Sequence, residues 1–257
     1  DAADVVLCED TRVTGKLMAA FGLHTHLERC DENVIEQRVP TVLDRLRAGE
    51  RVAFVSDAGM PGVSDPGQRL VDAALDEGLA VEVIPGPSAV TCALVASGLA
   101  SEHFFFEGFL PRRKSAQVTR LRELALVPGT IVCYESPRRV AETLANVAEV
   151  FPARRVALVR ELTKLHEECV RGMSAELAAE VAARGEVRGE CVVVIAAPDA
   201  AELEDRRRAA SGGPSTLEEA IAQGLAAGEP KSALAKRLAK SFSLPKAEVY
   251  DKILQLG

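Results

Sequence analysis

Two loops rich in glycine and proline are the segments of this chain best suited to bind a small molecule. The first, SDAGMPGVSDPG, spans Ser56–Gly67, and the second, IPGPSA, spans Ile84–Ala89; each follows an apolar run. Glycines let a ligand approach the backbone closely, and such loops expose N–H and C=O groups. Open α/β sheets bind ligands outside the carboxyl ends of their strands. A capped turn is the alternative for each loop alone, but the pair predicts a ligand site.

A third polar strand end, YESPRR, covers Tyr134–Arg139 and could face the same ligand. Neither glycine loop matches GxGxxG or GxxxxGK[ST], so the mechanical requirements of dinucleotide and P-loop sites are not met. His24 and His26 lie near Cys30, but further ligands at zinc spacing are missing, so a surface strand or loop is favoured. We therefore expect no metal site.

The elements that position these loops alternate between apolar runs and helical patterns, which predicts an α/β fold with mostly parallel strand pairing. Near-continuous apolar runs are typical of strands that are covered on both faces. Helices are predicted from Asp65-Pro66, over Val140–Phe151 and from Ser174. The predicted strands are Asp4–Cys8, Arg51–Ser56, Ala80–Ile84, Phe104–Phe109, Thr130–Tyr134, Arg155–Arg160 and Cys191–Ala197.

Two changes in composition predict boundaries between domains. One lies where FFFEGFLP gives way to RRK, and the other is the charged, Gly/Pro-containing segment PDAAELEDRRRAASGGPST, which predicts a flexible linker. Short helical patterns follow it. The predicted organisation is an α/β domain over 1–110, a second α/β domain over 111–198, a linker over 199–216 and a small helical module over 217–257.

Composition excludes several classes of protein. The net charge is −7, which argues against nonspecific coating of nucleic acid, although a local basic patch could still contact RNA. No apolar run is long enough for a membrane span and no leader is present, so no membrane partner is expected. Six scattered cysteines without CxxC indicate reduced thiols and a cytoplasmic location. Because the chain starts at Asp1 without Met, we expect that its beginning is missing.

Seven motifs in this order resemble the tetrapyrrole methylase family, the class III S-adenosylmethionine-dependent methyltransferases. They are EDTR, TGK, SDAGMPGVSDPG, PGPSA, FEGFLPR, YESPRR and RELTKLHEE, and they extend from Ala3 to about Pro198. The resemblance implies two α/β domains with a cofactor cleft between them. It also implies a homodimer that transfers a methyl group to the 2′-hydroxyl of a cytidine in the decoding region of 16S rRNA, within the 30S subunit.

The resemblance also implies which residues line S-adenosyl-L-methionine. They come from both glycine loops and from the third strand end: Ala58, Gly59, Met60, Val63, Ser88, Ala89, Tyr134 and Glu135. This sequence departs from the family in two ways. The family's first strand and its TPIGN-like loop are missing, which puts part of the pocket in doubt. Arg138 stands where relatives commonly have His, so a histidine base is not expected there.

A ribose hydroxyl is a poor nucleophile until its proton leaves, so a base or a cationic group is needed near it. The candidates are Glu9, Asp10 and Arg12 in EDTR, and Lys164, His166 and Glu167 in TKLHEE, with no single base identified. The alternatives are a surface Asp–Arg pair and an interfacial histidine.

RNA contacts are predicted for basic residues near the middle of the chain, with a solvated helix surface as the alternative: Arg112, Arg113, Lys114, Arg120, Arg138 and Arg139. Trp is absent and aromatic residues are only 4% of the chain. Recognition would therefore depend on RNA shape and backbone. The rival functions are a same-fold methyltransferase that acts on a tetrapyrrole or a protein side chain, and a noncatalytic RNA-binding module.

Overall fold

The computed structural model describes residues 2–57, 59–64, 66–99, 102–210, 216–242 and 244–256, without the side chains of 207–210. The chain divides into two compact units, Asp1–Cys92 (unit 1) and Ala93–Gly257 (unit 2). No helix in these described ranges is both long and apolar enough to span a membrane. Six of the seven predicted strands are present, so the predicted α/β class is confirmed.

Unit 1 is built on a parallel sheet. Strands β1 (Val5–Cys8), β2 (His26–Arg29) and β3 (Val52–Val55) lie in the order β2-β1-β3, with all pairings parallel. Helices α1 (Thr11–Ala20) and α2 (Ile35–Arg47) form the connections between them. The apolar core behind the sheet consists of Val5, Leu7, Cys30, Ile35, Val42 and Leu70.

Two expectations for unit 1 are corrected. Residues 80–88 contain no regular element, so the predicted strand Ala80–Ile84 is wrong. Its side chains Val83 and Ile84 are 67% and 73% exposed, and a β-branched run gains little without a neighbour to pair and pack against. Helix α3 (Gln68–Asp76) begins later than predicted, with Gly67 at its N-cap, whereas Asp65 lies outside the described residues.

Helix α4 (Ala89–Ser97) follows the second glycine loop and crosses from unit 1 into unit 2. The sheet of unit 2 comprises β4 (Phe104–Phe109), β5 (Thr130–Glu135), β6 (Arg155–Arg160), β7 (Glu168–Met173) and β8 (Cys191–Ile195). Their order is β4-β5-β8-β6-β7. Helices α5 (Lys114–Leu124), α6 (Val140–Val150) and α7 (Ser174–Ala183) contribute to the large core cluster with this sheet.

The prediction of mostly parallel pairing is confirmed for unit 1 and wrong for unit 2. Only β4 and β5 pair in parallel, whereas β5–β8, β6–β8 and β6–β7 are antiparallel. The short connection from β6 to β7 fits this, since a parallel crossover needs a dozen or more residues. All five residues of β8 are buried, so its apolar run indicates that both faces of the strand are covered. The run does not indicate the direction of the strand.

The predicted linker contains a helix. Helix α8 (Ala200–Ala210) occupies most of it, and the Asp199 carboxylate accepts a hydrogen bond from the Glu202 N–H at 2.7 Å. The sequence AAELEDRRRAA consists mainly of good helix formers, and this propensity outweighs its charge. The Gly/Pro part of the predicted linker, 211–215, lies outside the described residues.

The C-terminal helical module consists of α9 (Leu217–Ala226), α10 (Lys231–Ser241) and α11 (Lys246–Leu256). Thr216 and Glu219 form a capping box at the start of α9. The module has its own core, separate from that of the sheet: Leu217, Ala220, Ile221, Leu234, Ala235, Leu238, Val249 and Ile253.

Candidate functional site

The first glycine loop leaves the carboxyl end of β3 and is held at its base by Glu9. One oxygen of the Glu9 carboxylate accepts hydrogen bonds from the Ser56 hydroxyl at 2.8 Å and from the Asp57 N–H at 3.1 Å. Because Glu9 follows β1 and Ser56 follows β3, neighbouring strand ends fix the start of the loop. Glu9 is therefore a positioning carboxylate in this structure.

Positive backbone φ angles shape the rest of this loop. Gly59 and Gly62 have φ of 78° and 80°, a region that side chains with a Cβ rarely adopt. At Gly67 (φ 128°) a Cβ would also lie 2.9 Å from the Phe54 ring. At Gly59 a Cβ would meet nothing within 4 Å, so the loop borders open space there. Predicted residues Gly59, Met60 and Val63 lie on this loop, and Ala58 lies outside the described residues.

The second glycine loop leads into α4. The Ser88 carbonyl accepts the Cys92 N–H at 3.0 Å and the Thr91 hydroxyl at 3.1 Å, so it begins the helix. Ser88 and Ala89 are half-buried, whereas the preceding loop residues are exposed. No Cβ at Gly86 would meet an atom within 4 Å. Both predicted loops thus present backbone beside open space.

A cavity of about 510 Å³ lies beside the EDTR motif in unit 1. Asp10 caps α1 by accepting a hydrogen bond from the Arg12 N–H at 2.8 Å. The Arg12 guanidinium donates hydrogen bonds to both carboxylate oxygens of Asp10. The side-chain hydrogen bond from Arg12 holds the pKa of Asp10 well below its usual range. The structure brings three predicted residues into one wall, and the cavity is lined by Glu9, Asp10, Thr11, Arg12, Arg29, Asp31 and Asp57.

Asp57 is a site residue that the sequence patterns did not predict. Burial, followed by the nearby charges of Glu9 and Asp10, raises the pKa of Asp57 above its usual value. A carboxylate with a raised pKa is a better proton acceptor than an ordinary one. Its position at the start of the glycine loop could have indicated a site residue. The carboxylates that raise its pKa, however, come from a distant part of the chain.

The other three predicted catalytic residues, those of TKLHEE, lie in unit 2, on the connection between β6 and β7. The Lys164 ammonium pairs with Glu161 at 2.9 Å and with Glu190 at 3.1 Å. The hydrogen bond to Glu161 raises the pKa of Lys164, which keeps it protonated and makes it a poor base. His166 is exposed. Glu167 accepts the Thr163 N–H at 2.8 Å, so this loop is internally hydrogen-bonded.

The side chains of the YESPRR strand end lie in different environments. The Tyr134 ring meets Phe106 and Phe109 edge-on, with centroids 5.0 and 5.6 Å apart. The Glu135 side chain is fully buried, so only its backbone could contact a ligand without rearrangement. Arg138 is exposed, whereas Arg139 points inward to the carbonyls of Leu110 and Pro111.

The basic segment also separates into two kinds of residue. Arg112, Arg113 and Lys114 are exposed, and none of them forms an ion pair with any residue in the described ranges. Arg120 instead bonds both oxygens of Glu107, at 2.7 and 2.8 Å, and one of Glu123. The hydrogen bonds that Arg120 donates to Glu107 and Glu123 raise the pKa of Arg120. An RNA phosphate would have to compete with these two carboxylates for Arg120.

Metal ligands are not assembled in the described parts of the chain. No group of three or more His, Cys, Asp or Glu side chains there could hold an ion. His26 lies on β2 and its imidazole approaches Glu28 at 3.5 Å. All six cysteines are free thiols.

Comparison with known proteins relates these features to a family. The sequence profile of the Tetrapyrrole (Corrin/Porphyrin) Methylases matches residues 1–178. A protein named ribosomal RNA small subunit methyltransferase I from Mesorhizobium japonicum is 40% identical over 256 residues, which cover 99% of this chain and 84% of the relative. Its namesake from Mycobacterium bovis is 44% identical over 257 residues, covering 98% and 86%. That from Streptococcus pyogenes serotype M1 is 37% identical over 254 residues, covering 98% and 86%.

Two solved structures show the same fold at low identity. Cobalt precorrin-4 methyltransferase, a cobalamin biosynthetic enzyme, has a TM-score of 0.56 at 22% identity and covers 76% of this chain and 84% of its own. Uroporphyrin-III C-methyl transferase from Thermus thermophilus, complexed with S-adenyl homocysteine, has a TM-score of 0.51 at 23% identity, covering 76% and 85%. With a profile matched over more than half of its length and relatives aligned over nearly all of it, this chain belongs to the tetrapyrrole (corrin/porphyrin) methylase family.

Proposed function

We propose that this protein is an S-adenosyl-L-methionine-dependent methyltransferase that methylates the ribose 2′-hydroxyl of a cytidine in 16S rRNA, in the decoding region of the 30S subunit. The observation that carries the proposal is the set of relatives named ribosomal RNA small subunit methyltransferase I, which are 36–44% identical over nearly the whole chain. The homodimer and the cytoplasmic location implied by the family resemblance remain predictions.

Support for the cofactor comes from the family and from the loops. A structural neighbour is complexed with S-adenyl homocysteine, the product that methyl transfer leaves. The open space beside Gly59 and Gly86 fits a ligand that contacts backbone. Residues proposed to line it are Ala58, Gly59, Met60, Val63, Ser88, Ala89 and Tyr134, together with the backbone of Glu135.

When bound, S-adenosyl-L-methionine would supply an electrophilic methyl group on a sulfonium. Transfer of that methyl group to the ribose 2′ oxygen would leave S-adenosylhomocysteine and would require a base of this chain to take the hydroxyl proton. Holding the reactants in line can lower the barrier by about 7 kcal/mol or more. The chain therefore needs rigid loops and one proton acceptor.

Of the proposed catalytic residues, Glu9 holds the base of the first glycine loop, and neither Asp10 nor Lys164 is a good proton acceptor. Arg12 and Asp10 pair with each other, and Lys164 is held protonated by two glutamates. We add Asp57 to the proposed bases because it lines the cavity beside EDTR, where burial and the neighbouring carboxylates raise its pKa. Arg12 and His166 remain proposed as catalytic groups near the ribose hydroxyl.

The positioning role of Glu9 predicts a difference between two substitutions. Glu9→Ala removes the acceptor for Ser56 and Asp57, and we expect the cofactor Kd to rise about tenfold, since hydrogen bonds to a charged group contribute about 1.5–3 kcal/mol. Glu9→Gln keeps an acceptor oxygen and should stay within about threefold of the wild type. Isothermal titration calorimetry measures both. Equal losses in the two variants would contradict the positioning role.

The proposed reaction is tested on 30S particles from a strain that lacks this methyltransferase. The protein, incubated with cofactor radiolabelled on the methyl group, should place label on one cytidine ribose, located by mapping the modified nucleotide. Label on a base, on a ribosomal protein or on a tetrapyrrole added in parallel would overturn the assignment. Binding of the particle without any cofactor binding would identify a noncatalytic RNA-binding module.

A further inference from the structure

A buried polar network lies in unit 2 between the two segments proposed to contact RNA. It consists of Gln117 on α5, Glu135 at the end of β5, and Thr143 and Asn146 on α6, which are at most 3% exposed. A fifth member, Arg139, is partly buried. Removing polar groups from water is costly unless every group finds a partner. Such a network calls for an explanation of what it holds.

The Thr143 hydroxyl is the centre of the network. It donates a hydrogen bond to the Glu135 carboxylate at 2.7 Å and accepts one from the Gln117 amide at 3.1 Å. The Asn146 amide donates to the Gln117 carbonyl oxygen at 2.6 Å, which fixes the orientation of Gln117. The hydroxyl suits this place because it donates and accepts at once, whereas the Glu135 carboxylate can only accept and the Gln117 NH2 group can only donate.

Both ends of the network terminate on loop backbone. The Gln117 amide also donates to the Pro111 carbonyl at 3.3 Å. The Arg139 guanidinium donates to the carbonyls of Leu110 and Pro111, at 3.2 and 2.9 Å, and lies 3.3 Å from the Glu135 carboxylate. Glu135 in turn accepts the Ser136 N–H at 2.7 Å. The network thus ties the residues just before Arg112 to the turn that carries Arg138.

We infer that Thr143, Gln117, Glu135 and Arg139 are positioning residues for RNA binding: they hold Arg112, Arg113 and Lys114 in one fixed arrangement with Arg138. This rests on the proposed rRNA substrate. Each of those four cations is exposed, and in the described chain none has an ion-pair partner that would orient it. The backbone beneath them is therefore the part of the molecule that determines where their charges lie.

The test measures binding of the whole protein to 30S particles without cofactor, by filter retention over a series of salt concentrations. Thr143→Val removes the hydroxyl at nearly constant volume and should lower the affinity about tenfold. Thr143→Ser restores the hydroxyl and should bind within about twofold of the wild type. In a background where Arg112, Arg113 and Lys114 are glutamine, Thr143→Val should cost less than about twofold, because three of the four charges that the network positions are gone.

Ser174→Ala is the matched control. It removes another buried hydroxyl of unit 2, one that donates to Phe151 and Pro152 carbonyls away from the basic segment, and binding should not change. Gln117→Met tests the same link to Pro111 should the valine variant fail to fold, as judged by circular dichroism.

Wild-type affinity in both Thr143→Val and Gln117→Met, or a tenfold loss that persists in the glutamine background, would overturn the inference. So would a wild-type protein that does not bind the particle. Binding that depends on Thr143 in a protein that transfers no methyl group would overturn only the proposed reaction.

Discussion

Replacing Arg112, Arg113 and Lys114 together with glutamine is expected to weaken binding to 30S particles on the order of 100-fold at about 0.15 M salt. The three side chains are exposed and have no carboxylate partner among the described residues, so they can contact phosphates without first breaking an ion pair. The slope of log K against log salt should also become shallower, by about 0.7–0.9 for every phosphate that the variant no longer neutralises. Affinity measured from about 0.05 to 0.3 M salt gives both quantities.

The control removes the same charge elsewhere. Arg51, Arg155 and Arg188 are also exposed, and their triple glutamine variant lowers the net charge equally. We expect its affinity to stay within about threefold of the wild type, since a general electrostatic effect is weak beyond a Debye length of about 8 Å. Equal losses in the two variants would show that overall charge, rather than this segment, determines binding.

Replacing Arg154 with methionine is expected to destabilise unit 2 by about 3 kcal/mol. The Arg154 side chain is 2% exposed; it bonds both oxygens of Glu202 at 3.0 Å and the Ala125 carbonyl at 3.1 Å. It also lies over the Phe151 ring at 4.3 Å. Methionine fills the space but removes this donor from the Ala125 carbonyl and leaves Glu202 with Arg206 as its remaining partner within the described ranges. Urea unfolding followed by circular dichroism measures the change.

Arg188→Met serves as the control, because Arg188 is 81% exposed and pairs only with the nearby Glu186 among the described residues. It should change the free energy of unfolding by less than about 0.5 kcal/mol. A loss below about 1 kcal/mol for Arg154→Met would contradict the structural role of the buried pair.

Low pH should weaken the stabilising effect of the same ion pair, Arg154 with Glu202. Burial favours a raised pKa for Glu202, but the hydrogen bonds from Arg154 and Arg206 outweigh it and lower the pKa. A lowered folded-state pKa contributes stability above the ordinary glutamate value of about 4.3, and this stability is lost as the pH falls through the folded-state value. The wild type should therefore lose more stability than Arg154→Met below about pH 4.

The local sequence pattern predicted most of the strands and helices, because a strand that is buried on both faces is a continuous apolar run in the sequence. It could not predict strand direction in unit 2, since β8 is apolar at every position whichever way it runs. Strand β7 was missed because its burial alternates along an edge and only half of its residues are apolar. The run Ala80–Ile84 has strand propensity but lacks the neighbour that would satisfy it.

The candidate site shows the same limit. Both glycine loops were predictable, because a chain that borders a ligand needs glycine at particular positions. The burial and the ion-pair partners of each charged side chain could not be predicted. Glu135 is buried only because Thr143 and Arg139 return to it, and Arg120 is neutralised by Glu107 from β4. Partners of this kind are set by tertiary structure rather than by spacing in the sequence.

The central position of β8 has a consequence for synthesis on the ribosome. This strand is the last of its sheet to be translated, yet it joins β4–β5 to β6–β7. Until residues 191–195 have emerged, the nascent chain holds two half-sheets with exposed apolar edges, which are prone to aggregate. Closure of the sheet is therefore a late event that waits for just over three-quarters of these 257 residues.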